Sequence, residues 1–460
     1  MGNSEKVNPM DTETQLSRLG LFDSRVPRYT SYPTSPQFTA TVGSSDMDRW
    51  ITQIPERSEI SLYVHIPFCR RLCWFCACRT QGTSNIKTVE AYLETLKTEI
   101  ALLKTRLPAG VRLSRLHWGG GTPTLLSPDM MRDLADRLFD VAPLAEGGEF
   151  SVEIDPNEID GPRLDALVAA GLTRASIGIQ DFDPEIQATI GRIQPYDLTR
   201  KVIEDIRERG IKSLNADILY GLPNQTRDRI ADSVLRLLSL GPDRVALYGY
   251  AHVPWMARRQ SMIPFDALPT PEQRLGLFGV AQDLFAWDGY EAVGIDHFAR
   301  PEDGLAKAQR AGTLRRNFQG YTDDTAAALV GLGASSISRF PQGFAQNAGA
   351  TGEYTRLVRL GGFAATRGHA FRGDDILRAR IIEALMCDFR ISTAELTKDF
   401  GLTQSAVSNL YRGALDQFSG FVELTPQGLE IRPRGRPLTR MIARTFDTYD
   451  MASTGHSTAI

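Results

Sequence analysis

The chain has 460 residues, of which 42% are hydrophobic and 23% are charged. This is more than one hydrophobic core usually supports, and the composition is that of a folded protein, so a single small module and a largely disordered chain are both excluded. Lysine and arginine total 52 against 55 for aspartate and glutamate, a net charge of −3. No overall positive field would therefore attract nucleic acid or an anionic membrane.

The N-terminal residues carry no recognisable targeting signal. They are polar, and Lys6 stands where a myristoylation signal has Ser or Thr. No window approaches the roughly 18 consecutive apolar residues of a membrane helix, so we expect a cytoplasmic protein without membrane insertion. Four of the five cysteines are crowded together, at Cys69, Cys73, Cys76 and Cys78. This spacing is unlike a secreted disulfide scaffold and indicates metal or redox chemistry in a reducing compartment.

Between residues 60 and 255, short β-rich segments alternate with amphipathic helical segments, which is typical of βα units around a parallel sheet. Strands are predicted at 60–66, 115–118, 150–155, 175–180, 214–220 and 244–250. Helices are predicted at 88–106, 127–140, 196–209, 226–239 and 270–288. The predicted fold is an α/β protein with an incomplete (βα)6 barrel, whose chemistry would lie in the loops that follow the strands.

We divide the chain into an N-terminal arm (1–55), a partial barrel (56–260), a barrel extension (261–365) and a C-terminal domain (366–460). The last part reads as helices followed by a short strand pair across a Pro-Gln-Gly turn, which predicts a smaller, mainly helical domain of winged-helix type. Its basic run at 432–440 would suit DNA binding. However, residues 374–450 hold ten basic and eleven acidic residues, a net charge of −1, so we expect no nucleic-acid partner and favour a lid over the barrel.

The strongest chemical signal is the CxxxCxxC motif of Cys69, Cys73 and Cys76, directly after the first predicted strand. Three thiolates from one short loop can each bind one iron of a cubane cluster and leave the fourth iron open. A zinc site, which usually draws on two separated ligand pairs, and a chance group of buried thiols are the alternatives. The spacing favours an iron–sulfur cluster over both.

Around this motif the sequence resembles the radical S-adenosylmethionine (SAM) enzymes. Over almost its whole length it resembles the oxygen-independent coproporphyrinogen III dehydrogenase family. The resemblance rests on RYTSYPT (28–34), SLYVHIPFC (61–69), CWFCAC (73–78), HWGGGTPT (117–124), VEIDP, GIQDF, DILYGLP, YAHVP, DHFARP and RNFQGYT. It implies oxidative decarboxylation of two propionates of coproporphyrinogen III to the vinyl groups of protoporphyrinogen IX, by way of a 5′-deoxyadenosyl radical.

The resemblance also implies cofactors, partners and site residues. The cofactors are a [4Fe-4S] cluster on the three cysteines and two SAM molecules. The partners are a low-potential electron donor and an electron acceptor, and the protein is a monomer. The first SAM would be contacted by Tyr63, Phe75, Gly120, Glu153 and Ile337. The second would be contacted by Gly121, Thr122, Gln180, Arg192, Asp217 and Ala251.

Four further residues are candidates for catalysis or substrate binding. Tyr63 and His65 alternate on the first strand, so their side chains should face the same way. For His65, proton transfer and a purely structural role are both open. Cys78 could be a spare ligand, a redox-active thiol or a packing residue. In the family the corresponding cysteine is not a cluster ligand, and the related haem chaperones generally lack it. Arg28 is a hypothetical contact for the substrate propionates.

Two other functions stay open at this point. One is a haem chaperone that keeps the cluster, and the other is a radical SAM paralogue that modifies the macrocycle. The motifs RYTSYPT and RNFQGYT and the presence of Cys78 favour the dehydrogenase. The fifth cysteine, Cys387, lies in an apolar helical segment and is predicted to be a core residue.

Overall fold

Nineteen β-strands lie in the part of the chain that the structure, a computed structural model, describes: residues 15–450 and 459–460. In chain order they are β1 Glu59–Ile66, β2 Phe68–Cys69, β3 Gln81–Gly82, β4 Arg112–Gly120, β5 Leu144–Ile154, β6 Arg174–Gln180, β7 Ser213–Tyr220, β8 Arg244–Gly249, β9 Glu291–Val293, β10 His297–Ala299, β11 Arg315–Asn317, β12 Gly320–Thr322, β13 Leu329–Leu332, β14 Ile337–Phe340, β15 Gly343–Asn347, β16 Ala365–Ala370, β17 Arg390–Ser392, β18 Val422–Thr425 and β19 Gly428–Ile431.

The α-helices of the same residues are α1 Ser44–Thr52, α2 Ile86–Arg106, α3 Pro128–Val141, α4 Gly161–Ala169, α5 Pro184–Thr189, α6 Tyr196–Glu208, α7 Arg227–Ser239, α8 Pro271–Trp287, α9 Gly304–Ala311, α10 Thr351–Arg359, α11 Asp375–Asp388, α12 Thr393–Phe400, α13 Gln404–Gln417 and α14 Thr439–Arg444. Many begin at a side-chain cap, such as Ser127 before α3 and Thr226 before α7. Within these residues, no helix combines the length and apolar character needed to cross a bilayer.

The parallel strands β1 and β4 to β8 lie side by side and form the predicted partial barrel. All six predicted strands and all five predicted helices of this region are present. Buried apolar residues alternate with less buried, often polar residues along strands such as β6 and β7, as expected when one face packs on the helices and the other faces the barrel interior. The barrel therefore directs the loops after β1, β4, β5, β6, β7 and β8 to one end.

The sheet continues beyond the barrel on both edges. Strand β13 pairs in parallel with β1, and β14, β15 and β16 follow it in antiparallel order. On the other edge, β10 and β9 add antiparallel to β8. The added strands have three to six residues, and several carry glycine, so their sequence pattern is too short to show that they join the main sheet.

The C-terminal domain has helices α11 to α13 and a three-stranded sheet in the order β17-β19-β18. This arrangement confirms the predicted mainly helical, winged-helix-like unit. Its core contains residues of the N-terminal segment, including Leu21, Phe22 and Val26. The arm thus packs on the C-terminal domain, and Cys387 of α11 is fully buried as predicted.

Candidate active site

The loop at residues 67–80, called here the cluster loop, holds the three motif cysteines and crosses the end of the barrel. The amide of Trp74 donates to the carbonyl of Ile190, in the loop after β6, over 2.9 Å. The fully buried Gln260, after β8, donates from Nε2 to the carbonyl oxygens of Phe75 (2.6 Å) and Ala251 (3.0 Å). The cluster loop is therefore fixed to the loops after two barrel strands.

The thiols of Cys69, Cys73 and Cys76 are half-buried and lie near enough to influence one another electrostatically. Burial raises the pKa of Cys69 to about 11, and a hydrogen bond from the Cys78 thiol lowers the pKa of Cys76. The Arg192 guanidinium lies 3.5 Å from the Cys73 sulfur, and the Cys78 amide lies 3.4 Å from the Cys76 sulfur. These N–H groups can stabilise negative charge on sulfur.

The three thiols and the N–H groups beside them fit an iron–sulfur cluster. Among residues 15–450 and 459–460, no three His, Cys, Asp or Glu side chains are placed around one metal ion. That finding concerns a single ion, because thiolates that hold a cubane cluster each bind a separate iron. Three neighbouring thiols in one loop, with N–H donors beside them, provide the ligands that such a cluster needs.

Behind the cluster loop, strands β1, β4 and β5 contribute a polar group of Tyr63, His65, His117 and Glu153. The Tyr63 hydroxyl lies 2.9 Å from His65 Nδ1, so the two side chains share a face as predicted. The Tyr63 ring stacks on His117 with 5.7 Å between centroids. Burial opposes ionisation of Glu153, but His117 and the Gly120 amide, 3.0 Å from Oε2, bring its pKa below the ordinary value.

The glycine run at 119–121 is required by close packing. Gly120 has φ +113°, and a Cβ there would lie 2.5 Å from the His65 ring. A Cβ at Gly121 would lie 2.5 Å from the carbonyl oxygen of Phe68. The Thr122 amide donates to that same carbonyl over 2.8 Å. The run thus brings the backbone after β4 against the cluster loop.

The remaining predicted SAM contacts lie around the same end of the barrel. Arg192 donates to the Gly178 carbonyl (2.8 Å) and to Asp155 (3.3 Å) as well as toward Cys73. Burial raises the pKa of Asp217 to about 7. Gln180 ends β6 with φ +73°. Ile337 begins β14, two residues after Ser335, whose hydroxyl lies 3.4 Å from His65 Nε2.

A cavity of about 870 Å³ adjoins the cluster loop at Phe75, Cys76, Ala77 and Cys78. Its wall combines aromatic and aliphatic side chains with five arginines: Arg28, Arg274, Arg316, Arg436 and Arg440. Asp296 is the single acidic side chain among the described lining residues. Such a cavity suits a large, partly apolar ligand with several negative charges.

Arg28 was predicted to contact substrate, and its guanidinium is at the cavity, where it donates to the Gly249 carbonyl over 2.8 Å. The other four arginines were missed. They come from α8, β11 and the segment 432–440, which the sequence does not connect with the barrel end. The reading of 432–440 as a lid was the one signal pointing to Arg436 and Arg440.

The Arg316 side chain is 5% exposed. The guanidinium carbon of Arg316 lies 4.4 Å from the centroid of the Tyr321 ring, and its Nη2 lies 3.6 Å from Oδ2 of Asp296. Burial opposes ionisation of Asp296, but Arg316 and His297 hold its pKa at about 2. Asp296 therefore stays charged and keeps Arg316 in place at the cavity wall.

The comparisons with known proteins agree with this geometry. A model of the radical SAM superfamily matches residues 63–237. The chain is 63% identical to the oxygen-independent coproporphyrinogen III oxidase of Paracoccus denitrificans over 451 residues, 98% of this chain and 100% of the relative. It is 39% identical to the enzyme of the same name from Escherichia coli, over 92% of this chain and 93% of the relative. The solved structure of the Escherichia coli coproporphyrinogen III oxidase, described as a radical SAM enzyme, superposes with a TM-score of 0.87, at 36% identity, over 93% of this chain and 100% of that one.

The barrel, the cysteine loop and the superfamily match define a radical SAM protein, a class that uses a [4Fe-4S] cluster and SAM. Within that class, the chain belongs to the family of the oxygen-independent coproporphyrinogen III oxidases. The family resemblance carried by the sequence motifs is thereby confirmed.

Proposed function

We propose that the protein converts two propionates of coproporphyrinogen III into vinyl groups, giving protoporphyrinogen IX without oxygen. The observation that carries the proposal is the arginine-lined cavity that borders Cys76, Ala77 and Cys78. A porphyrinogen with four propionates needs cations for its carboxylates and apolar walls for its ring. Both are present beside the cluster loop, and the volume of about 870 Å³ lies toward the upper end of that of small-molecule sites, ~300–1,000 Å³.

When bound, the cluster and SAM supply the 5′-deoxyadenosyl radical that removes a hydrogen atom from the propionate β-carbon. Each propionate then loses carbon dioxide and passes one electron to a one-electron acceptor, which leaves the vinyl group. The protein holds the carboxylates through its arginines and covers the reacting carbon with the arm and the C-terminal domain. This cover keeps water from the radical.

We assign the three cysteines of the motif as cluster ligands. Tyr63, Phe75, Gly120, Glu153 and Ile337 would contact the first SAM. A second SAM would be contacted by Gly121, Thr122, Gln180, Arg192, Asp217 and Ala251. Support for a common site comes from Gln260, which joins the Phe75 and Ala251 carbonyls.

We assign Tyr63, His65 and Cys78 as catalytic residues. His65 is buried next to the Tyr63 hydroxyl, which suits proton transfer between them. Cys78 lies in the cavity wall, where its thiol would meet the substrate. We further propose that the protein works as a monomer in the cytoplasm, where thiols stay reduced, with a low-potential electron donor and a separate acceptor.

An anaerobic assay tests the function. Reconstituted protein is given coproporphyrinogen III, SAM and dithionite, and the tetrapyrrole and 5′-deoxyadenosine are followed by mass spectrometry. We expect a product lighter by two formic-acid equivalents, formed by the wild type and absent with Cys73→Ser. Formation of 5′-deoxyadenosine without this product would overturn the assignment of coproporphyrinogen III as the substrate. Stoichiometric haem binding without turnover would instead favour the alternative function, a haem chaperone.

A further inference from the structure

Two separate openings reach the cluster loop, and they share no lining residue. The large cavity reaches Cys76 and Cys78. A small surface depression reaches Cys73 and is bordered by Arg70, Arg71 and Ile193. During turnover the substrate occupies the large cavity, so an electron for the cluster has to arrive from another direction. The depression brings the protein surface to Cys73.

The surface around this depression carries uncompensated positive charge. Three arginines line the depression together with two carboxylates, which leaves a net charge of +1. The two carboxylates of the depression are paired, since Glu158 lies 2.8 Å from Arg70 and Asp155 lies 3.3 Å from Arg192. Arg71 is exposed and makes no hydrogen bond or ion pair with the described residues. Its charge is available to a partner.

An exposed apolar side chain stands beside these arginines. Ile193 is 51% exposed. Just inside it, the backbone of Gly191 packs closely on the Trp74 ring, where a Cβ would approach to 2.9 Å. Protein interfaces commonly combine an apolar centre with arginine, so this composition suits a protein partner.

We propose that the surface formed by Arg70, Arg71 and Ile193, called here the Cys73 face, docks a small acidic one-electron carrier protein that reduces the cluster. The inference rests on the proposed function, because it takes Cys73 as a cluster ligand. One electron passes from the reduced carrier to the cluster for each SAM cleaved, and the carrier leaves one electron more oxidised. Opposite charge accelerates the encounter and orients the two proteins.

Direct binding is the first test, with flavodoxin, an acidic flavoprotein, as the probe. Arg71→Glu reverses an exposed charge that has no partner in the described structure. Arg359→Glu is the matched control, because Arg359 ends α10, is exposed and likewise has no such partner. By isothermal titration calorimetry at low ionic strength, we expect flavodoxin to bind roughly tenfold more weakly to Arg71→Glu. Binding to Arg359→Glu should equal wild type, and added salt should weaken wild-type binding.

Turnover with two reductants is the second test. Product formation driven by dithionite should be the same in Arg71→Glu and wild type, while formation driven by reduced flavodoxin should fall roughly tenfold. Unchanged flavodoxin binding, or equal losses with both reductants, would overturn the docking surface. The docking surface would also be overturned if flavodoxin binding is weakened by Arg258→Glu, near the exposed Trp255 and Met262, and not by Arg71→Glu. Failure of the wild type with dithionite would instead defeat the proposed function.

Discussion

At the residue scale, the site depends on positions where the backbone leaves no room for a side chain. Gly120 combines a left-handed φ of +113° with the His65 ring directly above it. Its amide donates to Glu153, so the same residue sets the position of that carboxylate. One glycine therefore connects strands β1, β4 and β5 at the end of the barrel.

Gly120→Ala should lower both stability and SAM affinity. The methyl group would collide with His65, in addition to the cost of a positive φ, for a total of about 2–4 kcal/mol. Gly147→Ala is the control, because Gly147 has φ +71° and no atom within 4 Å of its Cβ position. Only the backbone cost of about 1–2 kcal/mol applies there. Thermal unfolding and SAM titration check this, and equal losses in both variants would contradict it.

Sequence reasoning at this scale succeeds where a residue type is tied to one chemistry. The three cysteines were found because their spacing favours an iron–sulfur cluster, and the glycine run was found through the family resemblance. Arg274 and Arg316 were not, because an arginine in a helix or short strand looks like a surface charge until the chain folds. Gln260 was missed for the same reason, since its role depends on two carbonyls from distant loops.

At the element scale, the sheet extension is tied to the barrel by one buried carboxylate. Glu99 of α2 accepts hydrogen bonds from the Gly333 amide (2.8 Å), Asn347 Nδ2 (2.8 Å) and the Tyr354 hydroxyl (2.7 Å). These groups lie after β13, in β15 and in α10. Burial raises the pKa of Glu99 to about 7 in spite of these donors.

This raised pKa predicts a pH-dependent stability. Because the folded pKa lies above that of the unfolded chain, the contribution of Glu99 is complete below about pH 4.5 and is lost as the pH rises through about 7. Glu99→Gln cannot titrate. We therefore expect the thermal midpoint of the wild type to fall relative to Glu99→Gln between pH 5 and pH 8. Parallel curves for the two proteins would contradict the prediction.

The arm and the C-terminal segment form a second connection between elements. The Tyr29 hydroxyl donates to Asp447 (2.9 Å), and the Tyr32 hydroxyl accepts from the Thr448 amide (3.2 Å). Arg440 donates to the Val26 carbonyl over 2.6 Å. The motif RYTSYPT is therefore held against residues 446–449 (FDTY), although only Arg28 of that motif had been given a role.

Removing both hydroxyls, with Tyr29→Phe and Tyr32→Phe, should loosen the arm. Each hydrogen bond contributes about 1 kcal/mol, so amides of residues 15–38 should exchange with deuterium faster, and the KM for coproporphyrinogen III should rise as Arg28 becomes less fixed. Tyr196→Phe is the control, since its hydroxyl bonds Ser239 on the outside of the barrel over 2.7 Å. Unchanged exchange in the arm would show that the apolar contacts alone hold it.

The predictability of elements followed their length. Barrel strands such as β1 and β7 have eight residues and a β-rich composition, and helices such as α2 carry apolar residues at helical spacing, so both were located from the sequence. Strands β9 to β16 are shorter, and their pairing depends on partners far away in the chain. Local pattern gave no information on that pairing.

At the scale of the whole molecule, the cavity exists only because four parts of the chain meet. The arm contributes Arg28, the barrel Tyr248, the extension Arg274 and Arg316, and the C-terminal domain Arg436 and Arg440. None of these parts would bind a tetracarboxylate strongly alone. The proposed substrate recognition would thus depend on the assembled fold.

Arg274→Met should weaken binding of coproporphyrinogen III without removing cofactor chemistry. Hydrogen bonds to charged groups contribute about 1.5–3 kcal/mol, which corresponds to a loss of roughly tenfold or more in substrate affinity. Arg300→Met is the control, because Arg300 stacks on Tyr290 at 4.1 Å and is absent from the cavity wall. Substrate KM and substrate-free SAM cleavage are the measurements. A fall in SAM cleavage in Arg274→Met would contradict the prediction.

The arginines of the cavity also bear on how the reaction ends. In the proposed complex the substrate would bring four carboxylates to a cavity wall with five guanidinium groups and one aspartate, and the product would keep two of those carboxylates. After two decarboxylations the cations are left with fewer anions between them and repel one another more strongly. Each lost carboxylate leaves as neutral carbon dioxide, and its negative charge passes to the acceptor as an electron. We therefore expect the cavity to release the product, because fewer anions remain to be held by its arginines.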